Sequence, residues 1–522
     1  MKLSLLSLFL FVILTAHAQS LELVMDISEG PSNGMTSYDA PAFINGMMVF
    51  AALNEQNGKE PFIIRDGVLS MLKDLKPGSG SSNPSIFFNF KNEVYFMANT
   101  SRDIWKTDGS ENGTSLVISF ADFALEEEAI QSFVVSRNDK FYFTKKHMMY
   151  VSDGTQENTF KVPGIEDISI KEDDIYASLN ADHFNDGIAF LTDRDSVFQL
   201  LGAIDTNVTV LGQINLASQN GFAVLGPFEV ERGLIMAVRD GTSSIGDLYL
   251  YDKQTEIINK FSESKIIANR INRLNDDQLL ITTDNDGNYI TDGTKEGTIK
   301  ITTTTTTTLT GRKLPFVRIG NSAFFHGDEQ ITTEGTYATG GTVSGTRLVI
   351  NTANHGISNF ISNGPFGFWI TDYGYNDEPK VWAADIHGSG ATLLYTHTKL
   401  DQTNYVISPF GATRDKIYFV ADLDDDIGKE LYSLDHNLDI SGVNGIAQIN
   451  EYQIIHDRNT SSFKIIAGSE EILKVTVNDI FGRLISSTIT HIEVWNQLPP
   501  IPGSYCITIR GKNGMSTRLV SQ

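Results

Sequence analysis

The densest run of metal-ligating side chains in the chain is Asp422-Leu423-Asp424-Asp425-Asp426-Ile427-Gly428. Carboxylates at Asp422, Asp424 and Asp426, alternating ahead of a glycine, suit the all-oxygen shell that calcium takes. Asp284-Asn285-Asp286-Gly287 is a shorter run of the same kind. Neither has the full EF-hand spacing with its terminal Glu, and each also reads as an acidic hairpin turn. Calcium at Asp422–Asp426 is the one cofactor the sequence raises, beside the plain reading of a turn with none.

Asp-Gly pairs recur at Asp108-Gly109, Asp153-Gly154 and Asp292-Gly293. One reading is a ring of carboxylates on one face. The other is a turn in which Asp accepts hydrogen bonds from its own backbone and Gly takes positive φ. The turn explains why the pairs sit at one fixed place in a repeat. No HExxH, Walker A or CxxC is present. None of the ten histidines is spaced for joint metal ligation with another, and His326 reads as structural. Trp105, Trp369 and Trp382 could stack on sugars, but each falls on a strand of the repeat and reads as packing.

The elements that must position these residues repeat about every 46 residues. Strand-like runs begin at Met47, Val94, Phe141, Gly187, Gly233, Gln278, Ser322, Phe366 and Lys416, spaced by 44 to 50 residues. Within one unit, SIFFNF, EVYFMA, DIWKT and TSLVIS alternate and are rich in aromatic and β-branched residues, the pattern of strands. Gly, Asn, Asp and Pro cluster between them, as tight turns require. Four short strands per unit at this period predict a β-propeller of about eight to nine four-stranded blades. The last unit, KIYFVADLDDDIGKELYSLDHN, lacks a fourth strand. LELVMDISEGPSNG (Leu21–Gly34) matches the fourth strand and loop SMLKDLKPGSGSSNP (Ser70–Pro84), so the N-terminal strand is expected to complete the final blade and close the ring. Closure removes exposed sheet edges.

The flanks differ. Lys2, the apolar run Leu3–Thr15 and Ala16-His17-Ala18 form a signal peptide (1–18) with cleavage between Ala18 and Gln19. The propeller is expected over 19–447. Residues 448–522 carry strand-like runs without blade spacing and read as a small C-terminal immunoglobulin-like β-sandwich. The net charge of −24 lies on the repeats, since seven Lys/Arg face six Asp/Glu from Gln448 onward. Such acidity argues against nucleic acid, whose phosphates need basic partners. The single cysteine, Cys506, excludes an intramolecular disulfide, and no run after the signal is long and apolar enough to span a membrane.

DIWKTDGSENGTSLV (Asp103–Val117), KELYSLD (Lys429–Asp435) and LKDLKPGSGSSNP (Leu72–Pro84) resemble the ELWxxDGT repeats of bacterial exported proteins, most closely at the two ends and weakly between Asp182 and Ser264. The resemblance implies an exported propeller and carries over no catalytic residue. The tail resembles the C-terminal sorting domain of the type IX secretion system. Gly482-Arg483 occupies its basic turn, Gly503 and Tyr505 the "GxY" strand start, and Arg518 the basic last strand; the usual Asn-Pro and terminal Lys are absent. That resemblance implies the type IX machinery as a partner, removal of the tail, and a mature protein outside the cell or on the outer membrane of a Gram-negative bacterium. The expected function is non-catalytic binding or adhesion to a glycan, surface polymer or protein. A polysaccharide-degrading enzyme, with carboxylates from different blades meeting near the channel, and a structural surface coat are the alternatives.

Overall fold

A computed structural model describes residues 21–436, apart from segments of which 164–180, 302–315, 397–406 and 121–129 are the longest, and the backbone of seven strands between 452 and 521. Among the described residues there is no helix. Nine four-stranded antiparallel sheets form the blades of a propeller. Blades 1 to 8 span 42–71, 85–119, 130–161, 181–215, 223–260, 268–300, 316–351 and 361–396, with strands in chain order. First strands of successive blades touch one another, so they are the inner strands around the channel, and the fourth strands form the rim.

Blade 9 has three strands from 407–435 and takes its fourth, Glu22–Met25, from the other end of the chain. Glu22 pairs with Ser433, Leu23 with Tyr432 and Met25 with Leu431, with a register shift between Leu23 and Met25. A shift at the equivalent point separates Ile104 from Trp105 in blade 2 and Val381 from Trp382 in blade 8. The closing strand thus repeats the bulge of continuous blades.

Second strands read as unbroken apolar runs because both of their faces are covered by neighbouring blades. In Met47–Asn54, Met48, Phe50 and Ala52 face blade 9, whereas Val49 faces blade 2. One apolar cluster fills each of the nine interfaces between blades, and the one joining blades 9 and 1 also takes in Ile27 and Met35 from the N-terminal segment. Burial of this kind contributes about 25 cal/mol per Å², and it is the main cohesion of the ring.

Antiparallel order fixes the two faces. Turns between first and second strands and between third and fourth strands lie on one face, the turn face. The remaining hairpins and the links between blades lie on the other, the link face. The tail contains a three-stranded sheet (Tyr452–Asp457, Ser462–Ala467, Trp495–Gln497) and a four-stranded sheet in the order Leu484–Thr488, Ile472–Asp479, Ser504–Gly511, Met515–Ser521.

Candidate functional site

The repeated Asp-Gly pairs lie on the turn face, where each Asp is engaged by its own turn. Asp108 Oδ1 accepts from the Ser110 amide (2.8 Å) and hydroxyl (2.6 Å). Thr107 Oγ1 accepts from the Gly109 amide at 3.0 Å and meets Thr114 Oγ1 at 2.8 Å, and Thr114 Oγ1 donates to Ser110 O at 2.7 Å. Asp153 with Thr155, and Asp292 with Thr294, repeat the arrangement. The Ser110 bonds hold the Asp108 carboxyl below its usual range, and bonds from Thr155 and Asn158 do the same at Asp153 against partial burial. The glycine serves docking as well as turning. Gly109 is at φ +93°, and a Cβ there would meet Met47 of blade 1 at 2.6 Å.

Blade 6 keeps this turn at Asp292, but the inner strands of blades 4 to 6 carry a further set of charges. In blade 5, Asp252 keeps the turn, accepting from the amides of Gln254 (2.9 Å) and Thr255 (3.2 Å), but Lys253 stands where the glycine would be. Its ammonium reaches inward to Glu229 Oε1 at 2.9 Å and lies 5.4 Å from the Phe184 ring centre in blade 4. Glu229, on the inner strand Ala223–Val230, is 3% exposed. Its amide donates to Asp182 Oδ2 at 2.8 Å, and its carbonyl accepts from Arg273 Nη1 at 2.5 Å. Arg273 also pairs with Asp182, linking the inner strands of blades 4 and 6 across blade 5. Arg232 Nε donates to Asp252 Oδ2 at 2.8 Å, which holds that carboxyl below its usual range. Three acids and three bases pair on the turn face, Asp182, Glu229 and Arg273 from inner strands and Arg232, Asp252 and Lys253 from the strand ends and turns of blade 5. Arg232 is the solvent-facing member, its side chain 51% exposed, with His183 beside Asp182. The network pairs its charges, so what it offers is electrostatics and hydrogen bonding.

The carboxyls pushed above their usual range, Glu60 and Glu430, lie on the link face. Glu60 holds the link between blades 1 and 2, accepting from the amides of Ser82 (2.8 Å) and Leu75 (3.0 Å) and the Ser82 hydroxyl (2.6 Å). Glu430 holds the N-terminal segment, accepting from the amides of Gly34 (2.7 Å) and Ser28 (3.4 Å).

Of the metal candidates, Asp422 ends a strand paired to Lys429 and Asp426 lies in the following turn; Asp424 is outside the described residues. Among the described residues no three His, Cys, Asp or Glu side chains converge as a metal cluster. Ala18, Gln19, Gly482, Arg483 and Gly503 are also outside the described residues. Tyr505 pairs with Asp479 and Val520, and Arg518 with Ile507, in the tail's larger sheet. Trp369 is fully buried between Phe324 and Phe360, and Trp382 Nε1 donates to Thr371 Oγ1 at 2.8 Å. His326 lies on the strand Ser322–Gly327.

Gly30-Pro31-Ser32-Asn33-Gly34 matches G-x-S-x-G. The structure gives it no nucleophile elbow, since that needs a strand-to-helix turn. Here the segment is a bent link, and half-buried Ser32 donates to Glu55 Oε1 at 2.5 Å. Sequence reasoning misses the network residues Asp182, Glu229, Arg232, Lys253 and Arg273. The one available signal was that repeat identity fades between Asp182 and Ser264.

No protein-family model matches this chain, and no curated protein does. Solved structures similar to it include a prolyl endopeptidase (10% identity, TM-score 0.39), with 66% of this chain and 55% of that one covered, so the chain spans about half of its length. PorZ, a surface component of the type IX secretion system of Porphyromonas gingivalis, is 11% identical with a TM-score of 0.24, over 94% of this chain and 92% of that one. An oligogalacturonate lyase in complex with manganese is 11% identical with a TM-score of 0.35, over 60% and 90%. These likenesses say nothing of activity or partners, and the propeller rests on the strand pairing itself.

Proposed function

We infer that the chain is an exported β-propeller of the ELWxxDGT type that works at the cell surface by binding, without catalysis. The ligand class is a glycan, a surface polymer or a protein. The observation that carries the reading is the asymmetry of the turn face. Asp108, Asp153 and Asp292 serve only their own turns, whereas blades 4 to 6 add ion pairs among Asp182, Glu229, Arg273, Lys253, Asp252 and Arg232. A coat of equivalent units has no use for one distinctive sector, and a hydrolase needs an unpaired acid beside a base. Residues 448–522, as an immunoglobulin-like sandwich with the sorting motif Gly482, Arg483, Gly503, Tyr505 and Arg518, direct export through the type IX machinery, after the signal peptide has been removed at Ala18-Gln19.

The test is incubation of the protein with a panel of soluble and insoluble polysaccharides, following both depletion of protein and appearance of new reducing or unsaturated ends. Depletion without new ends, weakened at least several-fold in Arg232→Ala, is the expected result. New ends would overturn the binding reading in favour of an enzyme. Neither signal with any polymer would redirect the search to a protein partner or a coat.

A further inference from the structure

The links held by Glu60 and Glu430 correspond residue for residue in sequence. Asp74 corresponds to Asp26, Leu75 to Ile27, Lys76 to Ser28, Ser81 to Asn33 and Ser82 to Gly34. Lys59 N donates to Ser81 Oγ at 2.9 Å, and Lys429 N to Asn33 Oδ1 at 2.8 Å. Asn83 N donates to Lys59 O at 3.1 Å, and Met35 N to Lys429 O at 3.0 Å. Asp74 Oδ1, like Asp26 Oδ1, is buried without a partner, so the links differ at the glutamate's second oxygen and at Ser28. Glu60 has both oxygens engaged, the second by the Ser82 hydroxyl. Gly34 has no hydroxyl to give, and Glu430 Oε2 makes no well-aligned hydrogen bond although Glu430 is wholly buried and the Ile27 amide acts on its carboxyl. Ser28, also wholly buried, leaves its Oγ without a partner. Asp26 uses Oδ2 to accept from the Gly30 amide at 3.1 Å, while its buried Oδ1 has none. The Ser28 amide lies 3.4 Å from Glu430 Oε1, and the Asp26 charge acts on Glu430.

We propose that this closing link is a site for a hard divalent cation, with Asp26 Oδ1, Glu430 Oε2 and Ser28 Oγ as protein ligands. Two carboxylates and a hydroxyl are the oxygen donors calcium takes, and backbone carbonyls and water usually complete such a shell. One proton shared by Asp26 and Glu430 would satisfy only two of the three oxygens. A cation uses all three and compensates the buried Glu430 charge together with the half-buried Asp26 charge. The site is separate from the acidic hairpin at Asp422–Asp426 and does not depend on the binding reading. Its place gives it a role, because the ion would tie the N-terminal segment to blade 9 and so lock the ring.

The test is thermal melting of the full chain at pH 7.5, first with a chelator and then with millimolar calcium chloride, with calorimetric titration of calcium into the folded protein at room temperature. Calcium is expected to raise the melting temperature by about 2 °C or more. Asp26→Asn and Glu430→Gln should abolish both the shift and the heat, while Asp74→Asn, the matching change in the other link, should leave both intact. No calcium response in the wild type overturns the site. So does a response that survives Asp26→Asn but is lost in Asp426→Asn, which moves the ion to the hairpin. Stabilisation by acid without any calcium response replaces the cation by a shared proton. Should a variant melt too low to compare, the calorimetric titration on its folded fraction decides.

Discussion

The Gly34 amide donates to Glu430 Oε1 at 2.7 Å across 396 residues of chain. This bond joins the two ends of the propeller in the same way that Ser82 of the link between blades 1 and 2 meets Glu60 of blade 1. A Cβ at Gly34 would lie 2.4 Å from both Glu430 oxygens, whereas nothing lies within 4 Å of one at Gly30, which is at φ +85°. Gly34→Ala is therefore predicted to destabilise by about 2–3 kcal/mol through crowding and loss of the bond. Gly30→Ala should cost only about 1 kcal/mol, from its left-handed backbone. Denaturant melts of the two variants check the order; equal effects would contradict it.

The Glu430 carboxyl is pushed up to about 7 by burial, with the Asp26 charge adding to the rise and the amides of Gly34, Ile27 and Ser28 opposing it. A carboxyl raised on folding binds more protons in the native state than in the unfolded one, so stability is full below the unfolded value and is lost as pH rises through the folded one. In chelator, stability should fall between about pH 4.5 and 7, by at most about 3 kcal/mol. Glu430→Gln should flatten that fall. A wild-type profile as flat as the variant's would contradict the assignment.

Thr107 and Thr114 are buried and join the two ends of the Asp-Gly turn through their hydroxyls. Thr114→Val removes the bond to Ser110 O and one partner of Thr107, and should cost about 1–2 kcal/mol. Asp108, exposed on the turn face, should cost about 1 kcal/mol or less as Asp108→Ala. That variant should also leave polymer depletion unchanged, because its carboxylate serves the turn. Chemical denaturation and the depletion assay together separate these outcomes.

Arg273 is the hub of the network in blades 4 to 6. Its removal leaves Asp182 without its main counter-charge beside a buried Glu229. Arg273→Met should destabilise by about 3 kcal/mol, whereas Arg232→Ala, at the solvent edge, should cost about 1 kcal/mol or less. Melting of both variants tests whether the inner pairs bear the structural role and the outer arginine remains available for recognition.

Much of the architecture was legible because a propeller repeats its local chemistry. The aromatic runs at Val94, Phe141 and Lys416 mark second strands. The likeness of Leu21–Gly34 to Ser70–Pro84 marks the closing segment, because the same link must fit the same Gly-Lys-Glu hairpin. The hairpin's own part in this was hidden, although Gly58-Lys59-Glu60 and Gly428-Lys429-Glu430 recur. Nothing in a carboxylate's sequence says that it accepts from amides 22 or 396 residues away. The network was less visible still. Arg273 and Asp182 are 91 residues apart and meet only because inner strands of successive blades converge on the channel.

Amide hydrogen exchange on the full chain tests ring closure most directly. The account predicts that Leu23–Met25, Gly34 and Met35 exchange as slowly as Lys429–Asp435, and that these segments lose protection together as denaturant is raised. Rapid exchange across residues 21–35 while Lys429–Asp435 stays protected would show an unclosed ring and contradict it.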